Sequence, residues 1–185
     1  MPVPLPDAPE RLRLLEQRAA QERALLDFPQ RPWVVTRRTE DGKPILNALV
    51  VGAGQAGLAI TFGLMRDHVD HVLCIDALPE GEEGPWLSHA RMQTLRTPKQ
   101  LTGPDLGLPS LAFKAWYEAQ FGAEAWGGVD QIPRTEWPRY LGWIRQLLSL
   151  PVRNRVLLKR IVPHGEHLAA EVETPAGAET VLARK

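Results

Sequence analysis

Short apolar runs and a helix-period segment follow one another through the middle of the chain. Residues 45–51 form a short apolar run that ends at a glycine, which is typical of a strand buried on both faces. Residues 57–67 follow as a helix, and residues 71–76 form a second short strand. Because only a glycine turn and one helix separate the two strands, the pattern predicts a βαβ unit with a parallel pair and a right-handed crossover.

The spacing of apolar positions predicts three more helices. The first spans residues 8–27, and Asp7 precedes it as a cap. The second is capped by Ser110, extends through Phe121 and is closed by Gly122, and the third spans residues 135–148. Together with the βαβ unit, these helices predict an α/β fold.

The segments between these helices have a different character. Residues 28–44 form an extended arm, and residues 77–110 form a long loop rich in glycine, proline and polar residues. A loop of this length inside a compact domain is usually functional or disordered, and its aromatic and basic residues favour a binding loop. The C-terminal part contains three strand-like segments, which predict a small β segment at residues 152–162, 168–172 and 180–183.

The composition is typical of a globular protein and excludes several kinds of site. The chain has 185 residues, of which 44% are apolar and 24% are charged. Its 22 basic and 22 acidic residues give no net charge, so we expect neither a nucleic-acid partner nor an anionic membrane surface. The single cysteine, Cys74, excludes an intramolecular disulfide and a cysteine-based zinc site, and no histidine lies at ligand spacing from a carboxylate cluster. We therefore predict no metal site.

Targeting and membrane segments are not evident in the sequence. The N-terminus lacks a basic region followed by an apolar stretch, so no secretory signal is predicted. Residues 44–65 are uncharged and approach the length of a membrane span, but they contain Asn47, Gln55 and four glycines. A strand, a glycine turn and a buried helix explain this stretch better. We expect a cytoplasmic protein without a membrane partner.

A glycine motif lies between the first predicted strand and its helix. It has the pattern GxGxxG and consists of Gly52, Ala53, Gly54, Gln55, Ala56 and Gly57. In a dinucleotide-binding turn the first glycine permits the tight turn, the second lets the backbone approach a diphosphate, and the third lets the helix pack closely on the strand. The free N–H groups and the positive end of the helix dipole then face the phosphates. The alternative is a tight turn without a ligand.

An acidic residue stands where such a site needs one. Asp76 ends the second strand, 19 residues after Gly57, and can accept hydrogen bonds from ribose hydroxyls. We include its neighbour Ala77 in the predicted site. A carboxylate at this position argues against the 2′-phosphate of NADP, but it does not distinguish NAD from FAD.

Residues 47–185 resemble the N-terminal part of the flavin-dependent monooxygenases with two dinucleotide-binding domains. These are the flavin-containing, Baeyer–Villiger and N-hydroxylating types and the related FAD/NAD(P)-binding oxidoreductases. The resemblance is carried by residues 50–58, 72–76 and 84–86, and less sharply by 92–99 and 108–110. The third of these segments, Gly-Pro-Trp, looks like the family's Gly-Gly-x-Trp. Two residues depart from the family pattern, because the family usually has Glu at the position of Asp76 and Gly at that of Pro85.

The resemblance implies a Rossmann-like FAD/NAD(P)-binding fold and a role for each matching segment. The glycine motif would hold the diphosphate of FAD, and Asp76 would hold the adenosine ribose. Trp86, Arg91 and Arg96 would lie along the flavin, although an aromatic that caps the core and a solvated loop face are the alternative roles. In such families FAD is reduced by NADPH and uses O₂ to oxygenate the substrate. No catalytic residue of the protein can be assigned from this sequence.

The resemblance also indicates what the sequence lacks. It contains no second GxGxxG, which in these families binds NADPH. The family's FAD domain continues with another parallel strand where this sequence ends. We therefore expect residues 1–44 to form an N-terminal helix and arm, and residues 45–185 to form an FAD/NAD(P)-binding domain cut before its last strand. A partner chain or domain would supply the NAD(P)H-binding half.

The sequence is compatible with three functions. The first is the FAD-binding portion of an NAD(P)H-dependent, monooxygenase-like oxidoreductase. The second is an NAD-dependent dehydrogenase domain, which the long loop at 77–110 and the later β segment do not favour. The third is a nucleotide-binding remnant or partner subunit without catalytic activity.

Overall fold

The structure is a computed structural model that describes residues 2–101 and 103–185. These residues divide into two compact units, each made from two segments of the chain. The helical unit comprises the residues up to Asp27 and Trp86–Leu148, and the sheet unit comprises Phe28–Pro85 and Ser149–Lys185. Among the described residues, no helix has both the length and the apolar character to cross a bilayer.

The order of the elements agrees with an α/β chain. In chain order the helices and strands are α1 (Ala8–Leu25), β1 (Arg37–Arg38), β2 (Pro44–Ile45), β3 (Ala48–Val51), α2 (Gln55–Arg66), β4 (Val72–Ile75), a short 3-10 helix (Pro109–Leu111), α3 (Phe113–Gly127), α4 (Glu136–Leu147), β5 (Val152–Arg153), β6 (Leu157–His164), β7 (His167–Thr174) and β8 (Gly177–Ala183).

A parallel sheet forms the centre of the sheet unit. Its strand order is β3-β4-β5. Strand β3 pairs with β4 in parallel, from Ala48 opposite Val72 to Val51 opposite Ile75, and β5 adds a third parallel strand beyond β4. Since α2 connects β3 to β4, the predicted βαβ unit is confirmed.

Two of the predicted strands are each divided in two. The segment predicted at 45–51 ends one strand and begins another, because Asn47 leaves the β1–β2 hairpin and donates its main-chain N–H to the carbonyl oxygen of His71 (2.9 Å). The segment predicted at 152–162 divides into β5 and β6. Arg155 lies between them with a φ of 58°, and this left-handed backbone turns the chain from the parallel sheet into the next one.

A second, antiparallel sheet of order β6-β7-β8 follows in the sheet unit. It corresponds to the predicted small β segment, although β8 begins earlier than the predicted third strand. Its inner face contributes to a buried apolar cluster with the end of β4, formed by Ile75, Val156, Ala170, Val172 and Val181. At the end of β8 the chain runs beside the start of β3, where Ala183 forms an isolated parallel bridge with Leu46 and the carbonyl oxygen of Lys185 accepts the N–H of Leu49 (2.9 Å).

Helix α1 confirms the first predicted helix of residues 8–27. It packs on α3 and buries Ala8, Leu15 and Ala19, three small or aliphatic residues of one helix face. Asp7 stands at the N-cap position as predicted, but its side chain makes no capping hydrogen bond.

Polar side chains of α1 add specific contacts to this packing. Arg11 donates from Nε to the carbonyl oxygen of Ala119 (3.1 Å). The carboxylate of Glu22 accepts both the main-chain N–H of Ser110 (3.0 Å) and its hydroxyl (2.8 Å). Ser110 therefore does not cap a helix as predicted. It lies in the 3-10 helix that precedes α3, and its hydroxyl is bound by Glu22.

Aromatic side chains fill the centre of the helical unit. The ring of Phe113 lies 5.3 Å from that of Tyr140, measured between centroids. Gly122, with a φ of 85° and a ψ of 162°, has a non-helical backbone that closes the first helical segment of α3 as predicted, and a second helical segment continues to Gly127. This continuation carries Trp126 back to Phe113, at a centroid distance of 6.1 Å. The cluster consists of Phe113, Trp116, Tyr117, Trp126, Trp137 and Tyr140.

The Glu22 contact predicts an effect on stability. We expect Glu22→Ala to lower the free energy of unfolding by about 2 kcal/mol, because the buried Ser110 loses the acceptor of its N–H and its hydroxyl. Glu10→Ala on the same helix is the matched control, since Glu10 makes only an exposed ion pair with Arg13. Urea unfolding of both variants measures the difference. Equal midpoints for the two variants would contradict this prediction.

Candidate dinucleotide-binding site

The glycine motif forms a tight turn between β3 and α2. Gly52 has a φ of 95°, a backbone conformation that favours glycine, and donates its N–H to the carbonyl oxygen of Ile75 (2.7 Å). Gly57 lies in the first turn of α2, directly against this residue. A β-carbon added at Gly57 would lie 1.7 Å from the carbonyl oxygen of Gly52, so the turn requires glycine there.

Gly54 affects the approach of a ligand and not the packing of the chain. It caps α2 with an extended backbone, at φ −69° and ψ −173°. A β-carbon added there would meet only the α-carbon of Gly84, at an ordinary contact distance of 3.8 Å. Since the packing of the chain itself tolerates a side chain at this position, the absence of one leaves room for a ligand to approach the backbone.

The start of α2 offers hydrogen-bond donors to that ligand. The first helical hydrogen bond runs from the N–H of Leu58 to the carbonyl oxygen of Gly54 (3.0 Å). The N–H groups of Gln55, Ala56 and Gly57 precede this bond and have no acceptor within the helix. The first turn carries no acidic side chain. Its donors and the positive end of the helix dipole therefore suit an anion such as a diphosphate.

Asp76 lies beside this turn, as the sequence predicts. It directly follows β4 and is 8% exposed. Its Oδ2 accepts the N–H of Ala53 (2.7 Å), and its Oδ1 accepts the N–H of Leu78 (2.8 Å). Each carboxylate oxygen has a further lone pair, which a ribose hydroxyl can use. The motif and the acidic residue are thus brought together, and they fit a dinucleotide. Ala77 lies between Asp76 and Leu78, the residue whose N–H binds Oδ1 of Asp76.

Sequence reasoning missed a residue that supports the loop after β4. Asn154 donates from Nδ2 to the carbonyl oxygen of Leu78 (3.0 Å) and to Oε1 of Glu83 (2.6 Å). The N–H of Arg155 reaches the same carbonyl of Leu78 (3.2 Å). The signal available in the sequence was an asparagine near the start of the strand predicted at 152–162, but nothing there indicates its partners, more than 70 positions away.

The other predicted site residues belong to the helical unit. Trp86 is half-buried, with its ring edge towards Trp137 at a centroid distance of 6.3 Å, and its carbonyl oxygen accepts a hydrogen bond from Nη1 of Arg134. Arg91 and Arg96 are exposed. Arg96 lines a cavity of about 450 Å³. Their contact with a flavin stays a prediction.

Trp86 and its neighbours Trp137 and Arg134 each carry one buried hydrogen-bond donor. Among the described residues, none accepts a hydrogen bond from Nε1 of Trp86, Nε1 of Trp137 or Nε of Arg134. Sequence analysis did not single out Arg134. Buried donors of this kind usually have a partner, so this part of the helical unit suits a ligand that presents acceptors.

Comparison with known proteins gives the family. Residues 49–183 match the family model described as FAD-NAD(P)-binding. The chain belongs to this FAD-NAD(P)-binding family. The resemblance to FAD/NAD(P)-binding oxidoreductases and the Rossmann-like fold with its parallel sheet are confirmed.

Individual relatives agree with the family. The FAD-dependent urate hydroxylase of Xanthomonas campestris pv. campestris is 52% identical over 144 residues, which cover 75% of this chain and 30% of that protein. The ornithine N-hydroxylase of Kutzneria sp. 744 has a TM-score of 0.60 at 21% identity, covering 77% of this chain and 36% of that one. The ornithine hydroxylase of Pseudomonas aeruginosa has a TM-score of 0.59 at 19% identity, covering 76% and 38%.

These coverages define the extent of the similarity. The chain spans about a third of the length of these relatives. At the identities of the two solved structures, the likeness shows a shared fold.

We expect alanine at Gly54 to affect ligand binding and alanine at Gly57 to affect stability. We expect Gly54→Ala to leave the thermal midpoint nearly unchanged and to weaken ADP binding at least tenfold, because the methyl group occupies the path of the diphosphate. We expect Gly57→Ala to lower the thermal midpoint strongly, because its β-carbon would lie 1.7 Å from the carbonyl oxygen of Gly52. Thermal melts and calorimetric titration with ADP measure both effects. If Gly54→Ala bound ADP with wild-type affinity, the assignment of the glycine turn as the diphosphate-binding site would be wrong.

Proposed function

We propose that this chain is the FAD-binding portion of an NAD(P)H-dependent, monooxygenase-like flavoprotein. The observation that carries the proposal is the glycine turn, whose helix amides lie at the end of β3 beside the carboxylate of Asp76. The family of the chain and a relative named as an FAD-dependent urate hydroxylase support FAD as the ligand.

Each residue of the turn has a role in this proposal. The amides of Gln55, Ala56 and Gly57 bind the diphosphate, and Gly54 lets it approach. The carboxylate of Asp76 accepts hydrogen bonds from the hydroxyls of the adenosine ribose, and Ala77 lies beside it in the chain. Bound FAD supplies the redox chemistry, passing electrons from NAD(P)H to O₂.

Trp86, Arg91 and Arg96 remain the predicted contacts of the flavin. The buried donors of Trp86, Trp137 and Arg134 support this assignment, because they have no acceptor among the described residues and a flavin ring presents carbonyl oxygens.

The NADPH site and the substrate site are assigned to residues beyond these 185. The sequence contains one GxGxxG, and the chain spans about a third of the relatives named above. A further domain or a partner chain would provide them. For the whole protein we propose a hydroxylation, the class of reaction named for the urate hydroxylase.

Titration of the purified chain with FAD, riboflavin and NADH tests the proposal. We expect FAD to bind with quenching of its fluorescence and ADP to displace it, because the glycine turn holds the diphosphate. Riboflavin lacks the diphosphate and should bind at least tenfold more weakly. Gly54→Ala serves as the control that retains the fold and loses FAD.

Other outcomes of the same titration favour other functions. Binding of NADH without binding of FAD would favour a dehydrogenase domain. Binding of neither nucleotide would contradict the proposal. Tightly bound FAD together with NADPH-dependent oxygen uptake would show that the chain already contains the NADPH site, against its assignment elsewhere.

A further inference from the structure

Both the main chain and the side chain of Asp76 are hydrogen-bonded within the sheet unit. Besides its two carboxylate contacts, its own N–H donates to the carbonyl oxygen of Arg153 (3.0 Å), and its carbonyl oxygen accepts the N–H of Val156 (2.8 Å). Its main chain is therefore fixed in the parallel sheet. The carboxylate projects from this fixed position towards the glycine turn.

The main partner of the carboxylate is a buried amide of the turn. Ala53 is 2% exposed, and its N–H donates to Oδ2 of Asp76 at 2.7 Å. A buried N–H without an acceptor is costly, so this bond stabilises the conformation of the residue between the first two glycines. The N–H of Gly52 is bound to the carbonyl oxygen of Ile75. Two consecutive amides of the turn are thus attached to the end of β4 and to the residue that follows it.

The short side chain suits this arrangement. Oδ1 of Asp76 accepts the N–H two residues ahead, at Leu78, which is a local turn that aspartate forms readily. The two bonds together orient the carboxylate. A glutamate at this position would carry its carboxylate one methylene further from the same backbone, away from these two amides.

We propose that Asp76 is a positioning residue for the diphosphate-binding turn and acts through the N–H of Ala53. This inference rests on the proposed function and deepens it. The bond holds the turn in the conformation that directs the amides of Gln55 and Ala56 to the diphosphate. Asp76 therefore contributes to the binding of any ligand with this diphosphate, whether or not the ligand has ribose hydroxyls.

A pair of ligands separates this role from direct ribose contact. ADP and 2′,3′-dideoxy-ADP share the diphosphate, but only ADP has the hydroxyls. We expect Asp76→Asn to weaken both ligands, with a loss of about tenfold for the dideoxy compound, because an amide group has one acceptor oxygen for two N–H donors. An unchanged affinity for dideoxy-ADP in this variant would overturn the proposal.

Asp105→Asn is the matched control. Asp105 is 2% exposed, and its carboxylate accepts the N–H groups of Gly103 (2.7 Å) and Gly107 (2.8 Å) in the helical unit. It therefore loses the same kind of bonds at another place. We expect this control to lower the thermal midpoint and to leave the affinity for dideoxy-ADP unchanged. An equal loss of affinity in both variants would mean that Asp76 acts only through general stability.

Asp76→Glu provides a second variant with an intact charge. We expect it to keep a preference for ADP over dideoxy-ADP, because its carboxylate can still accept ribose hydroxyls, and to bind dideoxy-ADP about tenfold more weakly than the wild type. Amide hydrogen exchange without ligand gives a readout that needs no nucleotide. The N–H of Ala53 should exchange faster in both Asp76 variants and at the wild-type rate in Asp105→Asn.

Failure of the proposed function is distinguishable from failure of this inference. If the wild-type chain binds neither FAD nor ADP, the proposed function is wrong. If it binds both, while the Asp76 variants keep the wild-type affinity for dideoxy-ADP and the wild-type exchange of Ala53, the positioning role is wrong.

Discussion

The close approach of Gly57 to the carbonyl oxygen of Gly52 is the constraint on which the site depends. No side chain can lie between the first turn of α2 and the end of β3, because a β-carbon there would be 1.7 Å from that oxygen. The helix consequently begins immediately beside the strand. The N–H groups of its first turn, which have no acceptor within the helix, lie at the carboxyl edge of the parallel sheet, where Asp76 also lies. Ligands of open α/β sheets bind at this edge because strand ends and helix starts meet there.

The carboxylate of Asp76 and a bound diphosphate would use different N–H donors of this turn. The start of a helix attracts negative groups, and a diphosphate would share the region with the carboxylate of Asp76. The carboxylate is directed to the amides of Ala53 and Leu78, outside the helix. The amides of α2 itself are left for the ligand. Two negative groups can therefore be accommodated in one turn because each has its own set of N–H donors.

Local spacing predicted the elements that depend on nearby residues. The βαβ unit, the glycine turn and the position of Asp76 follow from a pattern within about thirty residues, the usual length of such a unit. The features that sequence analysis missed depend on distant partners. Glu22 binds Ser110 from 88 positions away, and Asn154 reaches Glu83 across 71 positions. No period or motif in the sequence indicates such pairs.

The same limit explains the errors at element boundaries. A second helical segment follows the break at Gly122 and extends to Gly127, and the sequence did not predict it. Packing of Trp126 on Phe113 accompanies the extra turn beyond it. The two divided strands have a similar origin, since each half pairs with a different sheet and only the fold shows which.

The discontinuous composition of the two units has a consequence for how the chain acquires its structure. Each unit joins an early segment to a late one, so that α1 meets α3 and Leu46 meets Ala183. Contacts between such remote positions must wait until the late segment has left the ribosome, and closing long loops slows folding. During synthesis the glycine turn is thus present long before β6, β7 and β8, the later strands of its sheet unit. The side chain of Ile75, which is buried against Ala170, Val172 and Val181 in the folded unit, lacks these partners for that interval.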